Sequence, residues 1–133
     1  MQQNQNKEFI LNYFNAVSIG PKTREFLKKY MSDEPLIGHI EFFENAFPNY
    51  QIHADEMTAE GNRVVVKAHL EGTHLGNLDG ISATFKKVNF PFVVAYEIEN
   101  NMIISHWMIA DQMTLMEQLG VIPDAEEPLT NPL

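Results

Sequence analysis

Cysteine is absent from the 133-residue sequence, which excludes disulfides, thiolate catalysis and zinc sites built on cysteine. Positive charge is scarce, because 9 Lys and Arg residues stand against 18 Asp and Glu, for a net charge of −9. Such a surface repels phosphate backbones, so we expect no nucleic-acid binding. No apolar run approaches the ~20 residues that span a bilayer, and the polar start MQQNQNKEF lacks the apolar part of a signal peptide. We therefore expect a cytoplasmic protein with no membrane segment.

The composition fits one folded domain. Hydrophobic residues make up 44% of the chain, including nine Phe, which is enough for a packed interior. We assign residues 1–120 to a single domain. The remaining residues, 121–133, contain three prolines and are predicted to form an extended tail.

The spacing of apolar residues changes from helical to alternating along the chain. Before residue 48 the period is near 3.6 and predicts three helices, the second starting at Pro21 and the third at Pro35. After it the period is two, with turn signals at Gly61-Asn62 and Asn100-Asn101. The predicted strands cover residues 50–60, 63–74, 88–98 and 102–110, and a short helix covers 112–119. Helices followed by antiparallel strands predict an α+β fold, in which a curved, cone-shaped sheet packs on the N-terminal helices around an apolar pocket.

The fourth strand carries the densest group of candidate site residues. Strict alternation places Ile103, Ser105, Trp107, Ile109 and Asp111 on one face. If that face points inward, burial raises the pKa of Asp111 and makes it a plausible general base or acid. If the strand has ended by then, Asp111 caps the helix at 112–119 instead. The spacing leaves both interpretations open.

Four histidines lie on or beside the predicted strands and are candidates for the site. His53 shares a strand face with Asp55, so the two could form an oriented base or two ligands of a metal; no third ligand is fixed by the spacing, and we predict no metal. His74 ends a strand on the apolar face, where it could reach the pocket or bond a loop carbonyl. His69 lies opposite the apolar row of its own strand, and His106 faces away from Trp107 and Asp111. Both are predicted to be at the surface or in a subunit contact.

Several fragments of the chain, in their order and spacing, resemble the SnoaL-like polyketide (ester) cyclase family over residues 37–120. They are Phe47-Pro48-Asn49-Tyr50, Ala59 to Val66, Gly72-Thr73-His74-Leu75-Gly76, Gly80-Ile81, Thr84, Lys87-Val88, Tyr96-x-Ile98-Glu99-Asn100 and Ile103-x-x-His106-Trp107-x-x-x-Asp111-Gln112.

The resemblance implies the conical α+β fold of nuclear transport factor 2 and ketosteroid isomerase. It also implies cofactor-free closure of a small polycarbonyl substrate by an intramolecular aldol step, with Asp111 as general acid/base. We expect Asp111 to titrate well above an ordinary aspartate in a closed pocket, with His74 or His53 in reach as further catalytic candidates. Trp107, Tyr96, Phe90 and Phe92 are the expected substrate-binding walls, and the partner would be a small apolar or aromatic molecule.

The short segment 30–35 departs from the family pattern, because no strand is visible there to aim Asp33 inward. We therefore do not expect isomerase chemistry of the ketosteroid type. Epoxide hydrolysis would need an Asp-Arg-Asp set, which Arg24 and Arg63 do not suit. The alternative to an enzyme is a binding or dimerisation module of the same fold. A homodimer is expected, with Val65, Val93 and Ala95 suited to the contact; these residues oppose the core rows.

Overall fold

The computed structural model describes residues 2–122, with side chains from residue 4 onward. The predicted tail beyond residue 122 lies outside the described residues. The elements in chain order are α1 (Gln2–Val17), α2 (Arg24–Leu27), α3 (Glu34–Ala46), β1 (Gln51–Glu60), β2 (Arg63–Thr73), β3 (Lys87–Glu99), β4 (Met102–Ala110) and α4 (Gln112–Leu119).

Three of the helices begin at side-chain caps, and two of these, α2 and α3, lie in the N-terminal part of the chain. Helix α2 does not start at Pro21 as predicted; it begins at Arg24, because the Thr23 hydroxyl accepts from the Phe26 N–H. Helix α3 begins after Asp33, whose Oδ1 accepts from the Leu36 N–H at 3.1 Å. Pro35 lies in the first turn, where it costs no hydrogen bond. No helix within residues 2–122 is long and apolar enough to cross a membrane.

Over the described residues the strands form one antiparallel sheet in the order β1-β2-β3-β4. Both tight turns follow the predicted signals, with left-handed backbone at Gly61 (φ 58°), Asn100 (φ 51°) and Asn101 (φ 57°). The inner face buries Val64, Val66, Val94 and Ile98 against the helices. The predicted α+β fold is confirmed.

A β-bulge in β4 reverses the facing of most of that strand. Ile98 pairs with Ile103, but Glu97 pairs with Ser105, so Ile104 is an extra residue. Ile103 is fully buried, whereas the next inward residues are His106, Met108 and Ala110. The predicted common face of Ile103, Ser105, Trp107, Ile109 and Asp111 is therefore wrong, because one inserted residue changes the parity of everything after it.

The short segment before α3 runs beside the outer edge of β4. Met31 forms a parallel bridge with Ile103; the Ser32 N–H donates to the Ile103 carbonyl at 2.9 Å, and the Ile103 N–H donates to the Tyr30 carbonyl at 2.8 Å. This short bridge fixes the position of residues 31–33 beside β4, as a full strand would. It brings Asp33 to the inner side of the sheet. The sequence shows no strand in this segment, so the inward position of Asp33 was not predicted.

Candidate functional site

A cavity of about 900 Å³ lies between the inner face of the sheet and the helices. Its walls are mostly aromatic and aliphatic and come from α1, α3, all four strands and α4. They include Tyr13, Ile40, Phe43, Tyr50, Leu70, Phe90, Phe92, Tyr96, Met108 and Leu115. A volume of this size fits a drug-sized molecule, and apolar walls with a few polar groups are typical of ligand sites.

An aspartate–histidine pair stands at this cavity. The Asp33 Oδ2 lies 2.6 Å from Nδ1 of His106, which lines the cavity. The Asp33 side chain is 5% exposed and the His106 side chain 16%. The second Asp33 oxygen is bound to the N–H that opens α3, so the carboxylate is fixed by two contacts. His106 was predicted to lie at the surface or in a subunit contact; the outward orientation on which that prediction rests is wrong, because the bulge at Ile104 turns His106 inward.

Two tyrosines place hydroxyl groups in the same region. Tyr96 is the direct cross-strand partner of His106, and Tyr13 packs edge-on against Tyr96 at 6.1 Å between ring centres. Burial raises the pKa of Tyr13, which outweighs the lowering effect of the Tyr96 hydroxyl, and the charge of Asp33 adds to the rise. Burial also raises the pKa of Tyr96. Both phenols therefore stay protonated at neutral pH and remain hydrogen-bond donors.

A second histidine of the cavity wall is held in its neutral form. His39 stacks obliquely on Phe43 at 4.8 Å between ring centres. Burial lowers the pKa of His39, and the nearby His106 lowers it further. The cavity therefore disfavours a second positive charge close to His106.

This arrangement has the parts of a general base with an oriented proton. The carboxylate of Asp33 accepts from Nδ1–H of His106, which leaves the Nε2 lone pair free, and Nε2 has no hydrogen-bond partner among the described residues. A carboxylate that fixes the tautomer and steadies the imidazolium is a recurring device of acid–base sites. The phenols of Tyr13 and Tyr96 can donate to an oxygen on which negative charge develops.

Asp111 does not occupy the position that was predicted for it. It follows the end of β4 and caps α4, accepting from the Thr114 N–H at 3.0 Å and from the Thr114 hydroxyl at 2.7 Å. These two hydrogen bonds lower its pKa, and the residue is exposed. The expected inward orientation and raised pKa are wrong, and the capping interpretation is confirmed. Because the bulge at Ile104 changes which residues of β4 face inward, Asp111 no longer falls on the inward row.

The two other candidate catalytic histidines also lie away from the cavity lining. His74 is fully buried, with Nδ1 accepting from the Thr84 N–H at 3.1 Å, so it ties the loop at 75–86 to the end of β2. Its ring packs beside Phe47 at 5.3 Å. His53 faces outward on β1, stacked on His69 at 4.8 Å. Among the described residues no contact is found between Asp111 and either histidine, so the expected grouping of the three residues is not observed.

The predicted walls are placed in two different ways. Phe90, Phe92 and Tyr96 are buried and line the cavity, as their alternation on β3 predicts. Trp107 also borders the cavity, but it is 60% exposed and belongs to the outward row of β4. Tyr13 and the Asp33–His106 pair were not predicted as site residues. The only available signal was the nearness of Asp33 to the short segment at 30–35.

Comparisons with known proteins agree with this architecture. A profile of the SnoaL-like polyketide cyclase family matches residues 19–119. AclR from Streptomyces galilaeus, a proposed hydroxylase, is 20% identical with a TM-score of 0.80, covering 94% of this chain and 87% of its own. A proposed SnoaL-like polyketide cyclase from Jannaschia sp. CCS1 is 22% identical with a TM-score of 0.76, covering 91% and 95%. IdmH from Streptomyces antibioticus, a proposed polyketide cyclase, is 19% identical with a TM-score of 0.73, covering 87% and 99%.

A search of curated proteins finds no match. The structural likenesses are at low sequence identity and establish the fold. The profile match covers most of the chain, and the protein belongs to the SnoaL-like polyketide cyclase family. The resemblance seen in the sequence is thereby confirmed.

Proposed function

We propose that this protein is an acid–base enzyme that closes a small polycarbonyl substrate, with the His106–Asp33 pair as its base. The observation that carries the proposal is the 2.6 Å contact between Asp33 and a histidine of the cavity wall. The membership of a cyclase family supports the reaction class. The exposed, hydrogen-bonded state of Asp111 argues against the single aspartate that the resemblance suggested.

The proposed reaction uses only side chains of the chain. Nε2 of His106 removes a proton from a carbon between two carbonyl groups, which is already acidic. The electron pair moves onto a carbonyl oxygen that accepts from Tyr13 or Tyr96. The enolate carbon then forms a bond to a second carbonyl carbon held nearby, and the new alkoxide takes back the proton from His106. Atoms and charge balance without a cofactor.

The apolar walls favour a flat or aromatic ligand. Phe90, Phe92 and Tyr96 present aromatic surface to the cavity, and Phe43 presents more from α3. Burial of such a ligand contributes about 25 cal/mol for each Å² removed from water. The Asp33–His106 pair, Tyr96 and Tyr13 are neighbours at one part of the wall, which suits a molecule with its carbonyl groups at one end.

Proton exchange on a simple probe tests the proposed base without the natural substrate. Methyl benzoylacetate has an aromatic ring and a methylene group between two carbonyls, and its exchange with D₂O is followed by NMR. We expect the protein to accelerate exchange above the buffer rate. His106→Gln should lower the protein-catalysed exchange rate by about 10²–10⁴-fold. Asp111→Asn is the matched comparison, and it should leave the rate unchanged.

The same experiment distinguishes the competing assignments. If Asp111→Asn abolishes exchange and His106→Gln does not, the carboxylate of Asp111 is the base and the proposal fails. If the probe shifts cavity resonances but exchanges at the buffer rate, the protein is a binding module for an apolar ligand. That second candidate is favoured by one observation, the solvated cap position of Asp111.

A further inference from the structure

The outward faces of β1 and β2 bring together two histidines and a glutamate. His53 and His69 are direct cross-strand partners, and Glu71 lies diagonally across from His53. The Glu71 Oε1 lies 3.6 Å from Nε2 of His53 and 3.4 Å from Nε2 of His69. One ligand atom from each residue lies within 4.8 Å of the others. The neighbouring residues on these strands face the core, so this cluster is on the opposite side of the sheet from the cavity.

From this cluster we infer a binding site for a divalent transition metal of the zinc type, with His53, His69 and Glu71 as its ligands. Two imidazoles and one carboxylate are a common set for such ions, at about 2.0–2.2 Å from each atom. Ligands at that radius around a tetrahedral ion are about 3.4 Å apart. The two separations from Glu71, 3.4 and 3.6 Å, already match.

A fourth residue, Asp55, orients one of the proposed ligands. Nδ1 of His69 lies 2.9 Å from the Asp55 carboxylate, so Nδ1 carries the proton and Nε2 offers its lone pair to the site. Asp55 reaches this position because it is the extra residue of a bulge in β1, between the pairs made by Ala54 and Glu56. A carboxylate that orients a metal-binding histidine is a regular part of zinc sites.

One nitrogen of the cluster lacks a hydrogen bond. Nε2 of His53 is hidden from solvent and makes no hydrogen bond to any described residue, because the Glu71 Oε1 beside it is 3.6 Å away. Most buried polar atoms are hydrogen-bonded. An ion pair of protonated His69 with Asp55 and Glu71 would account for those three residues, but it leaves this nitrogen unsatisfied. A metal ion supplies the missing partner. The net charge of −9 favours cation binding further.

Titration calorimetry of the full chain tests the inference. After dialysis against a chelator, we expect about one equivalent of Zn²⁺ to bind, and Co²⁺ to give a visible absorption band of low-symmetry coordination. His69→Ala and Glu71→Gln should each abolish the band and weaken Zn²⁺ binding more than 100-fold. Asp55→Asn removes only the carboxylate that orients His69, and it should weaken Zn²⁺ binding about 10–100-fold.

Glu56→Gln is the matched control. Glu56 is an exposed acidic residue of β1, the strand that carries His53. It pairs with Lys67 at 3.4 Å and is not one of the proposed ligands. The substitution should leave the Zn²⁺ affinity unchanged. Binding that survives both His69→Ala and Glu71→Gln in variants with native circular dichroism, or no binding to the unmodified chain, overturns the inference. The exchange rate of methyl benzoylacetate should not depend on the metal, so failure here and failure of the proposed function are separate results.

Discussion

Replacing Asp33 by asparagine separates the two roles of one buried carboxylate. In the native protein Oδ1 caps α3 through the Leu36 N–H, and Oδ2 accepts from Nδ1 of His106. Asparagine keeps an oxygen for the cap but places an NH₂ group toward His106. Two donors would then face each other, unless His106 moves its proton from Nδ1 to Nε2. That tautomer has no lone pair directed at the cavity.

The structure sets the size of both effects. A hydrogen bond to a charged group contributes about 1.5–3 kcal/mol, so we expect Asp33→Asn to lower the free energy of unfolding by that amount. Asp33→Ala also removes the cap, which contributes about 0.5–2 kcal/mol, and should lower it by about 2–5 kcal/mol. The wrong tautomer at His106 should reduce proton exchange on the probe by about 10²–10⁴-fold in Asp33→Asn.

Urea unfolding and the exchange assay measure the two effects on the same samples. Glu34→Gln is the control, because it removes a neighbouring negative charge at the exposed start of α3 without contacting His106. It should change neither quantity appreciably. An Asp33→Asn variant with native stability and a native exchange rate would show that Asp33 neither stabilises nor orients His106.

Three further predictions concern packing, capping and assembly. Gly76→Ala should cost about 1–3 kcal/mol, because an added Cβ would lie 2.1 Å from the Asn45 carbonyl oxygen, whereas Gly38→Ala, with open space in α3, should gain about 0.5–1 kcal/mol in urea unfolding. The pKa of Asp111 is lowered in the folded protein, so its ionised form stabilises the fold at pH values above the ordinary carboxyl pKa. This stabilisation is lost as the pH falls through the pKa of the folded state. The difference in Tm between the native protein and Asp111→Ala should therefore shrink in acid. The homodimer stays a prediction, checked by equilibrium sedimentation: Trp107→Glu, on the 60% exposed outward row, should dissociate it, and a native protein that is monomeric at all concentrations would contradict it.

The helices, strands and turns were predictable because each follows from local chemistry. The change of period near Pro48, the Gly61-Asn62 turn and the two asparagines at 100–101 act through residues close in sequence. The walls formed by Phe90 and Phe92 followed from the same alternation, because β3 keeps its parity beside them.

The candidate site was not predictable in the same way, because it depends on register. Ile104 sits in a run of apolar residues, Met102 to Ile104, where an extra residue leaves no mark in the pattern. That one residue decides whether His106 or Trp107 faces inward. Asp33 reaches His106 across 73 positions of the chain, through a backbone bridge too short to appear as a strand. The cluster of His53, His69 and Glu71 likewise exists only once β1 and β2 are paired.

The protonation of the His106 ring decides whether the Asp33–His106 pair can act as a base. A long-range ¹H–¹⁵N correlation spectrum, recorded at a pH where the ring is neutral, distinguishes the two tautomers. We expect a proton on Nδ1, held by Asp33, and an unprotonated Nε2 whose resonance shifts when methyl benzoylacetate is added. A proton on Nε2, or a resonance that does not respond to the probe, would show that His106 is not the base of this cavity.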